Sequence, residues 1–459
     1  MIKIDGYSLT IKDVVAVSRQ YEKVSLSEKA VPKIKKSRKF VEKILAENKT
    51  VYGITTGLGE LASTCISPDD SAKLQENLIR SHAVGVGDPL SEDVVRGIML
   101  LRANALCQGY SGVRQKLIES LLQLLNKRIY PYIPCQGSVG ASGDLAPISH
   151  LALVIMGEGE CLKNGRRFPA AKILKEKGLS PMRLVAKEAL GLTNGTQLMA
   201  AIGCLATEDA NSILKNAQIA GSMSLEALKG TARAFEKKIH DLRPHPGQKT
   251  VASNIRRIIK GSKIIASHVD CDKVQDAYTL RCMPQVLGAI KDTIDYAKHV
   301  LSIEINSVTD NPLIFPDEEE VISGGNFHGE PLAFIMDFLG IGLSEIACIS
   351  ERTIDRLVNP HVSGLPPFLS PESGLNSGFM IAQYTAAALV SENKVLAHPS
   401  SIDSIPTSAG QEDHVSMGSI SARNAAQIAR NVEQVLAIEM LCAAQGIDFL
   451  PFLPGAGTR

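Results

Sequence analysis

The chain has 459 residues, which is enough for two or three domains and a large buried core. Its 49 Lys and Arg residues nearly balance its 48 Asp and Glu residues, so the net charge is +1. This balance gives no electrostatic basis for binding nucleic acid or an anionic membrane, and it favours a small neutral or zwitterionic partner.

The nine cysteines are scattered singly, without CxxC pairs, and the ten histidines form no H-x-x-x-H pattern. The sequence therefore predicts no metal site and a reduced, intracellular protein. The start, MIKIDGYSLTIKDVV, lacks the apolar core of a signal peptide, and we find no uninterrupted apolar run of about 18 residues. We expect a soluble, cytoplasmic protein without a membrane segment.

In the first 190 residues, short helical segments alternate with three glycine-rich loops, at 51–60, 81–89 and 137–150. Loops on a rigid scaffold often carry the chemistry of an enzyme. We therefore predict an N-terminal domain over residues 1–190 that holds the functional loops, and a second domain of long helices over 191–459.

Long segments without strand alternation dominate the second part of the chain. They predict five long helices, at 196–242, 286–305, 331–358, 378–397 and 421–445. The first would be a rod of about 70 Å, bent near Gly221 or Gly230, and Gly446 is a plausible C-cap for the last. The helix at 331–358 is apolar almost all round and should be buried. The sequence thus predicts a mainly α protein built on an elongated helical bundle.

The loop GSVGASGDLAPISH, at 137–150, has several interpretations. A tight turn is the simplest, since glycine adopts positive φ at little cost. A nucleophile elbow requires G-x-S-x-G, whereas Gly143 directly follows Ser142. A phosphate-binding loop requires a lysine that is absent here. A serine hydrolase acting through Ser142 and a catalytically inactive helical scaffold stay open as alternatives.

The same tripeptide also suits backbone cyclisation. If the backbone nitrogen of Gly143 attacks the carbonyl carbon of Ala141, a five-membered ring closes. Loss of two waters, one of them from Ser142, then leaves an exocyclic methylene conjugated to an imidazolone. Such a group is an electrophile, which none of the twenty side chains supplies, and the small residues here would tolerate the closure.

Eight segments in this order resemble the aromatic amino acid ammonia-lyase family: VYGITTGLG, LIRSHAVGVGDPL, GSVGASGDLAPISH, LGLTNGTQ, DAYTLRCMPQV, SVTDNPL, GGNFHGEP and GQEDHVSMG. The resemblance implies a carbon–nitrogen lyase that forms 4-methylidene-imidazol-5-one (MIO) autocatalytically from Ala141, Ser142 and Gly143, with no metal or external cofactor. It also implies a fold similar to the fumarase and aspartase superfamily, with an N-terminal MIO-bearing domain, and a homotetramer whose active sites are shared between subunits.

The resemblance assigns roles to further residues. Tyr52 matches the catalytic tyrosine, whose phenolate would be a strong enough base for a weakly acidic proton. Arg281 matches the carboxylate-binding arginine, and Tyr278 a second active-site tyrosine. Asn194 and Phe327 match residues that orient and cover the MIO group. From the residues alone, Tyr52 could equally be a packing residue, Arg281 a solvent-facing one, and Asn194 the N-cap of the following helix.

His82 and Glu412 bear on the substrate. Family members that act on histidine carry Ser-His and Glu-Asp at the positions of Ser81-His82 and Glu412-Asp413. An imidazole and a carboxylate can pair with the two ring nitrogens of histidine, whereas they would stay unpaired against a phenyl ring. We therefore expect conversion of L-histidine to trans-urocanate and ammonia, the first step of histidine degradation. A tyrosine or phenylalanine ammonia-lyase, or an aromatic 2,3-aminomutase with the same MIO group, is the alternative.

Four positions depart from the commonest pattern of the members that act on histidine. They are Thr55, Leu58, Met283 and Gly410, and they leave the fine substrate selectivity open. The chain ends at PGAGTR, where the resemblance leads us to expect a further C-terminal helical segment.

Overall fold

The computed structural model describes residues 1–67, 70–271 and 273–459. These residues contain eighteen α-helices and nine short β-strands, so the prediction of a mainly α protein is confirmed. Backbone contacts divide the chain into two compact units. Unit 1 comprises residues 1–205, 298–335 and 400–423, and unit 2 comprises residues 206–297, 336–399 and 424–459. The division near residue 190 stays a prediction.

The α-helices are numbered in chain order. They are α1 (Ile11–Arg19), α2 (Val31–Ala46), α3 (Ser71–His82), α4 (Glu92–Cys107), α5 (Gln115–Asn126), α6 (Leu145–Ile155), α7 (Ala170–Glu176), α8 (Glu188–Thr193), α9 (Gln197–Ala227), α10 (Lys237–Asp241), α11 (Pro246–Ile258), α12 (Lys263–Ala266), α13 (Tyr278–Arg281), α14 (Met283–Glu304), α15 (Glu330–Val358), α16 (Pro360–Ser363), α17 (Met380–Leu396) and α18 (Gly418–Asp448). Short 3-10 turns lie at Gly59–Ser63, Ala232–Phe235, Pro367–Leu369 and Ser408–Gly410.

The strands form four small sheets in unit 1. They are β1 (Ile2–Ile4), β2 (Val24–Leu26), β3 (Val86–Pro89), β4 (Tyr130–Pro131), β5 (Pro134–Gln136), β6 (Glu160–Lys163), β7 (Arg166–Pro169), β8 (Leu313–Phe315) and β9 (Glu320–Ile322). β1 and β2 pair in parallel, with Ile2 opposite Val24. The pairs β3–β5, β4–β6, β6–β7 and β8–β9 are antiparallel.

The helix predicted over 196–242 is shorter in the structure, because α9 ends at Ala227. Lys229 adopts a left-handed conformation with φ of 50°, and the Gly230 N–H donates to the Leu225 carbonyl at 2.7 Å. This bond closes the helix end in the manner of a Schellman motif. The 31 residues of α9 span about 46 Å, so the predicted rod of about 70 Å was too long.

The last long helix, α18, extends three residues further at each end than the predicted 421–445. The apolar positions that predicted it are buried: Ala425, Ile428, Ala429, Val432, Val435 and Leu436. Gly446 lies inside the helix, so its predicted role as a C-cap is wrong. A Cβ atom at Gly446 would stand 3.1 Å from both Ala227 Cβ and Leu365 Cδ1, and this glycine therefore serves close packing in unit 2.

The long helix α15 is strongly apolar. Its most apolar 18-residue window has a mean hydropathy of 1.9, so the helix is long and apolar enough to cross a membrane by length and composition alone. However, 61% of that window is buried within the chain. The prediction of burial all round is nevertheless wrong for one stripe. Phe334, Phe338 and Ile341 are 56%, 45% and 46% exposed, and they lie at i, i+4 and i+7 on one face.

Three long helices of unit 2 converge on one buried carboxyl group. Glu439 of α18 accepts a hydrogen bond from Ser224 of α9 at 2.8 Å and another from Ser350 of α15 at 2.6 Å. Burial raises the pKa of Glu439 to about 7, although both hydroxyl donors favour its charged form. The core of unit 2 therefore contains a titratable group within its helix packing.

Candidate active site

The tripeptide Ala141-Ser142-Gly143 lies in a loop that pairs with the turn before α9. Gly143 has φ of 75° and forms a bridge with Gly195, whose carbonyl accepts from the Asp144 N–H at 2.7 Å. A Cβ atom on Gly143 would stand 2.2 Å from the Gly195 carbonyl oxygen. Only glycine therefore fits at position 143, both for its backbone conformation and for its space.

Asp144 anchors this loop to the start of α9. Its Oδ2 atom accepts from the backbone N–H groups of Leu198 at 2.9 Å and Met199 at 3.2 Å, and its Oδ1 atom from Ser138 at 3.2 Å. Burial raises the pKa of Asp144 to about 7, although these donors and the positive helix end favour the carboxylate. The cap of α9 is thus Asp144, and the alternative of Asn194 as its N-cap is wrong.

Asn194 instead links α8 to the segment at Asn311. Its Nδ2 atom donates to the Asn311 carbonyl at 3.0 Å, and its own carbonyl accepts from Arg102. Its Oδ1 atom is buried without a hydrogen-bond partner among the described residues. Such an orphan acceptor is expensive to bury, so Asn194 Oδ1 is free to accept from a donor that the described residues do not supply.

Arg102 is a buried residue that the sequence did not single out. Its Nη1 atom donates to the Asn194 carbonyl and, at 2.9 Å, to Gln197 Oε1. Burial lowers the pKa of Arg102 to about 10, partly opposed by the charge of Asp310. The guanidinium therefore holds the turn that faces Gly143. No motif marks it, because it sits at the centre of an apolar helix, α4.

Glu412 lies against the hydroxyl group of Ser142. Ser142 Oγ donates to Glu412 Oε1 at 2.8 Å, and Thr407 Oγ1 donates to Glu412 Oε2 at 2.7 Å. The backbone of Thr407 also pairs with that of Glu412 in an antiparallel bridge. The structure thus brings together the predicted reactive tripeptide and the predicted substrate-binding carboxylate, which are 270 residues apart in sequence.

Residues after Glu412 clamp the reactive loop along its length. Three hydrogen bonds join the two segments: Met417 N to Val139 O at 2.9 Å, Ser416 Oγ to Gly140 O at 3.1 Å and Ser419 Oγ to Ser138 O at 2.8 Å. Ala141, Val415 and Met417 form a small buried apolar cluster beside them. Since backbone and side chains both take part, the loop is held in one conformation.

His82 is the last residue of α3. Ser81 Oγ donates to the Leu78 carbonyl at 3.0 Å and lies 3.0 Å from His82 Nδ1. Because that hydroxyl has only one proton, Nδ1 carries the imidazole proton and Nε2 remains an acceptor. Burial lowers the pKa of His82, opposed by Leu78 and by the charge of Glu412, so the ring is held neutral.

Tyr52 lies in the first glycine-rich loop. Its hydroxyl oxygen is 3.4 Å from the backbone nitrogen of Gly59. A Cβ atom on Gly59, which has φ of 57°, would stand 2.6 Å from Ser408 Oγ. The turn beside Tyr52 therefore packs against Ser408, which directly follows Thr407. Both segments belong to unit 1.

Phe327 is half-buried in the loop that precedes α15. The end of this loop is packed against the same segments, because a Cβ atom on Gly329 would stand 2.5 Å from Met199 Cε and 2.8 Å from Ser416 Oγ. Next to Phe327, the His328 ring stacks on the ring of His414, with centroids 5.8 Å apart. Neither histidine has a role that could be predicted from the sequence.

Tyr278 and Arg281 lie in unit 2, on the short helix α13. The guanidinium carbon of Arg281 is 4.6 Å from the centroid of the Tyr278 ring, a cation–π distance. Tyr278 is 71% exposed, and Arg281 Nε is buried with no partner in the described part of the chain. These two predicted residues lie together, in a different unit from the Ser142 loop.

Two of the departures from the family pattern have a local structural reason. Thr55 Oγ1 accepts from the Val51 N–H at 2.8 Å and donates to the Lys49 carbonyl at 2.7 Å, so this residue stabilises the turn around Tyr52. Gly410 has φ of 89° in the exposed turn before Glu412, a conformation that favours glycine.

A family model for aromatic amino acid lyases matches residues 9–459. The chain belongs to the aromatic amino acid lyase family. It is 54% identical to histidine ammonia-lyase of Alkaliphilus oremlandii over 459 residues, which cover all of this chain and 90% of that protein.

Two solved structures are similar along almost the whole chain. Histidine ammonia-lyase from Trypanosoma cruzi has a TM-score of 0.91 and 46% identity, over 98% of this chain and 85% of that one. Tyrosine aminomutase from Streptomyces globisporus has a TM-score of 0.93 and 41% identity, over 97% and 88%. The helical fold predicted from the resemblance to this family, that of the fumarase and aspartase superfamily, is therefore confirmed, and the chain is an ammonia-lyase-type enzyme.

Proposed function

We propose that this chain eliminates ammonia from L-histidine without oxidation, giving trans-urocanate as the first step of histidine degradation. The observation that carries the proposal is the 2.8 Å hydrogen bond from Ser142 Oγ to Glu412 Oε1. It puts a carboxylate that suits an imidazole ring directly at the tripeptide that would become the electrophile. The similarity to histidine ammonia-lyases along the whole chain supports the same reaction.

The residues around Ser142 fit an MIO group formed from Ala141, Ser142 and Gly143. Gly143 has no Cβ where one would collide with Gly195, and Asn194, which directly precedes Gly195, has a buried Oδ1 atom without a partner from the described chain. Such a group supplies an electrophile for the substrate amine, which is otherwise a poor leaving group. No metal or external cofactor is part of the proposal.

Two residues would select histidine over a phenyl substrate. The neutral His82 ring offers its Nε2 lone pair, and the Glu412 carboxylate offers a second acceptor. Both acceptors would be satisfied by a substrate ring bound as imidazolium, which has two N–H donors, whereas a phenyl or phenol ring has none at the corresponding ring positions. A phenylalanine substrate would leave both polar groups desolvated and unpaired, which favours strong rejection.

Tyr52 would remove the proton from the substrate β-carbon, with Gly59 N–H near its oxygen. Arg281 would bind the substrate carboxylate in its planar donor fork, and Tyr278 would lie beside it. Phe327 would cover the reactive group, and Asn194 would orient it. We propose a homotetramer whose active sites draw residues from several subunits, with the exposed stripe of α15 as one contact.

The nine cysteines are all free, which supports the proposal of a reducing, cytoplasmic location. Neither nucleic acid nor a membrane is proposed as a partner, since the charge is nearly balanced.

One experiment tests both the cofactor and the substrate. We expect the intact mass of the purified protein to be two waters below the mass of its sequence. We expect L-histidine, alone among histidine, tyrosine and phenylalanine, to give a conjugated product by absorbance. Full mass in active protein would exclude the MIO mechanism.

The aminomutase from Streptomyces globisporus supports the second candidate, an aromatic lyase or 2,3-aminomutase. A β-amino acid product, or turnover of tyrosine above histidine, would establish that alternative. The Ser142 hydroxyl bonds to a carboxylate, and the nearest histidine in its motif, His150, accepts from Gly85 N at 3.1 Å. A serine hydrolase needs a histidine at that hydroxyl, so this geometry does not support one.

A further inference from the structure

Two histidines and one glutamate from distant parts of the chain converge beside the candidate active site. They are His328, Glu330 and His414, and one possible ligand atom from each lies within 4.8 Å of the others. The His328 and His414 rings are nearly parallel, with an interplanar angle of 7°. A pattern search along one helix does not detect this set, because 86 residues separate the two histidines.

The existing hydrogen bonds leave this cluster poorly satisfied. His328 Nε2 lies 3.4 Å from the His414 carbonyl oxygen, and His328 Nδ1 lies 3.3 Å from the Glu330 backbone nitrogen. The first distance exceeds the roughly 2.7–3.2 Å that is usual for an N–H···O bond, and the second is a similarly long N–H···N contact in which the Glu330 N–H donates. Glu330 Oε2 is buried and has no partner within residues 1–67, 70–271 and 273–459. A buried carboxylate oxygen without a donor favours a cation beside it.

We infer that His328, Glu330 and His414 form a binding site for one divalent transition-metal ion, of which Zn²⁺ is the representative. Two imidazoles and one carboxylate are a ligand set that zinc accepts, whereas calcium and magnesium prefer oxygen ligands throughout. Three protein ligands leave a fourth coordination position for water. In such a site the ligand atoms stand about 3.4 Å apart, so atoms that now lie up to 4.8 Å apart must approach by at most about 1.4 Å. His414 is exposed and can rotate to meet this need.

A metal at this position would connect two active-site segments. His328 directly follows Phe327, and His414 lies two residues after Glu412. Ligation would therefore hold the Phe327 loop against the Glu412 segment. The site is separate from the proposed chemistry, because none of the proposed steps of elimination requires a metal.

Metal binding can be measured without substrate, so its outcome is independent of the proposed reaction. Full-length protein is treated with chelator, dialysed and titrated with Zn²⁺ by calorimetry, and in parallel with Co²⁺ by visible absorption. We expect one ion per chain, with d–d bands typical of four- or five-coordinate Co²⁺. We also expect bound Zn²⁺ to slow amide hydrogen exchange in residues 323–329 and 407–416.

Glu330→Gln and His414→Asn should each weaken Zn²⁺ binding by at least about tenfold. His361→Asn is the matched control, since His361 is an exposed histidine of unit 2 and its loss should leave binding unchanged. The inference is overturned by absence of saturable binding to the wild-type chain, by unchanged affinity in both cluster variants, or by an equal loss in the control. The wild-type Co²⁺ spectrum keeps the test decisive even if Glu330→Gln folds poorly.

Discussion

Glu412 holds two hydroxyl groups at once, one on each carboxylate oxygen. Ser142 occupies Oε1 and Thr407 occupies Oε2. An exposed carboxylate would meet water there, whereas this one is partly enclosed by the loop that it contacts. At the scale of single residues, Glu412 therefore joins the predicted reactive tripeptide to the loop at Thr407, and its role in binding substrate stays a prediction.

We expect Glu412→Gln to lower kcat/KM for histidine about a hundredfold, because the variant removes a charge-assisted hydrogen bond to the substrate ring. The amide oxygen of glutamine can still accept from Ser142, so cyclisation should proceed. Steady-state kinetics with histidine, together with the intact mass, measure the two effects separately.

Asp413→Asn is a suitable control, because Asp413 is exposed and directly follows Glu412. The kinetics of this variant should match those of the wild type. Loss of the two-water mass deficit in Glu412→Gln, or unchanged histidine kinetics, would contradict the substrate-side role of Glu412.

The tripeptide Ala141-Ser142-Gly143 could be recognised in the sequence as a candidate site because its three residues are small, and its cyclisation stays a prediction. Arg102 and Asp144 could not, since their roles follow from burial and from hydrogen bonds to backbone groups far along the chain. One feature of the sequence could have drawn attention to Asp144, namely its position directly after Gly143 and directly before α6. Arg102 had none, because a cation within an apolar helix is ordinarily expected at the surface.

At the scale of helices, α14, α15 and α17 lie within about three residues of their predicted ends, because periodicity and Pro or Gly boundaries determine them locally. The end of α9 was missed because the left-handed turn is made by Lys229, a residue that rarely adopts it. Gly446 was misassigned because a glycine required for close helix packing has the same sequence signal as a C-cap.

The buried Glu439 makes the stability of these helices depend on pH. Its unfolded pKa is about 4.3, whereas its folded pKa is about 7, so between these values the native state binds the additional proton. The free energy of unfolding should therefore fall as pH rises from about 4 to about 7, by up to about 4 kcal/mol from this group.

Glu439→Gln should flatten this dependence, because the amide stays neutral throughout. Urea unfolding at about pH 5 and about pH 8, at one fixed protein concentration, measures the change in slope. Asp144 contributes in the same direction, so a smaller slope should remain. Glu28→Gln, at an exposed position, should keep the wild-type slope. An identical slope in Glu439→Gln and wild type would show that Glu439 is ionised in the native state.

At the scale of the whole molecule, the exposed apolar residues of α15 bear on the proposed association of several chains. A sequence pattern predicts that an apolar surface is covered, but it does not say whether the cover belongs to the same chain or to another copy. Phe334, Phe338 and Ile341 are the part that this chain leaves uncovered. Their alignment on one face supports a partner helix rather than isolated exposure.

We expect the wild-type protein to have four times the 49.2 kDa mass of one chain in light scattering. Phe338→Ser should shift this mass downward, since it places a polar group in an apolar contact. It should also lower activity if active sites are shared between subunits. Ile322→Ser, at a residue of similar exposure on β9, is the comparison and should keep the wild-type mass. A monomeric, fully active wild-type protein would rule out the tetramer.

The contact between Ser142 and Glu412 also bears on the order in which cofactor formation and substrate binding would occur. Before maturation, the chain's own hydroxyl occupies the carboxylate oxygen that the histidine ring would need. If the proposed MIO group forms, dehydration would remove that hydroxyl, so the step that completes the electrophile would also free the Glu412 oxygen. A subunit that has not yet formed the electrophile would thus have its histidine-binding carboxylate occupied by its own Ser142. Histidine binding and catalytic activity would then arise in the same step.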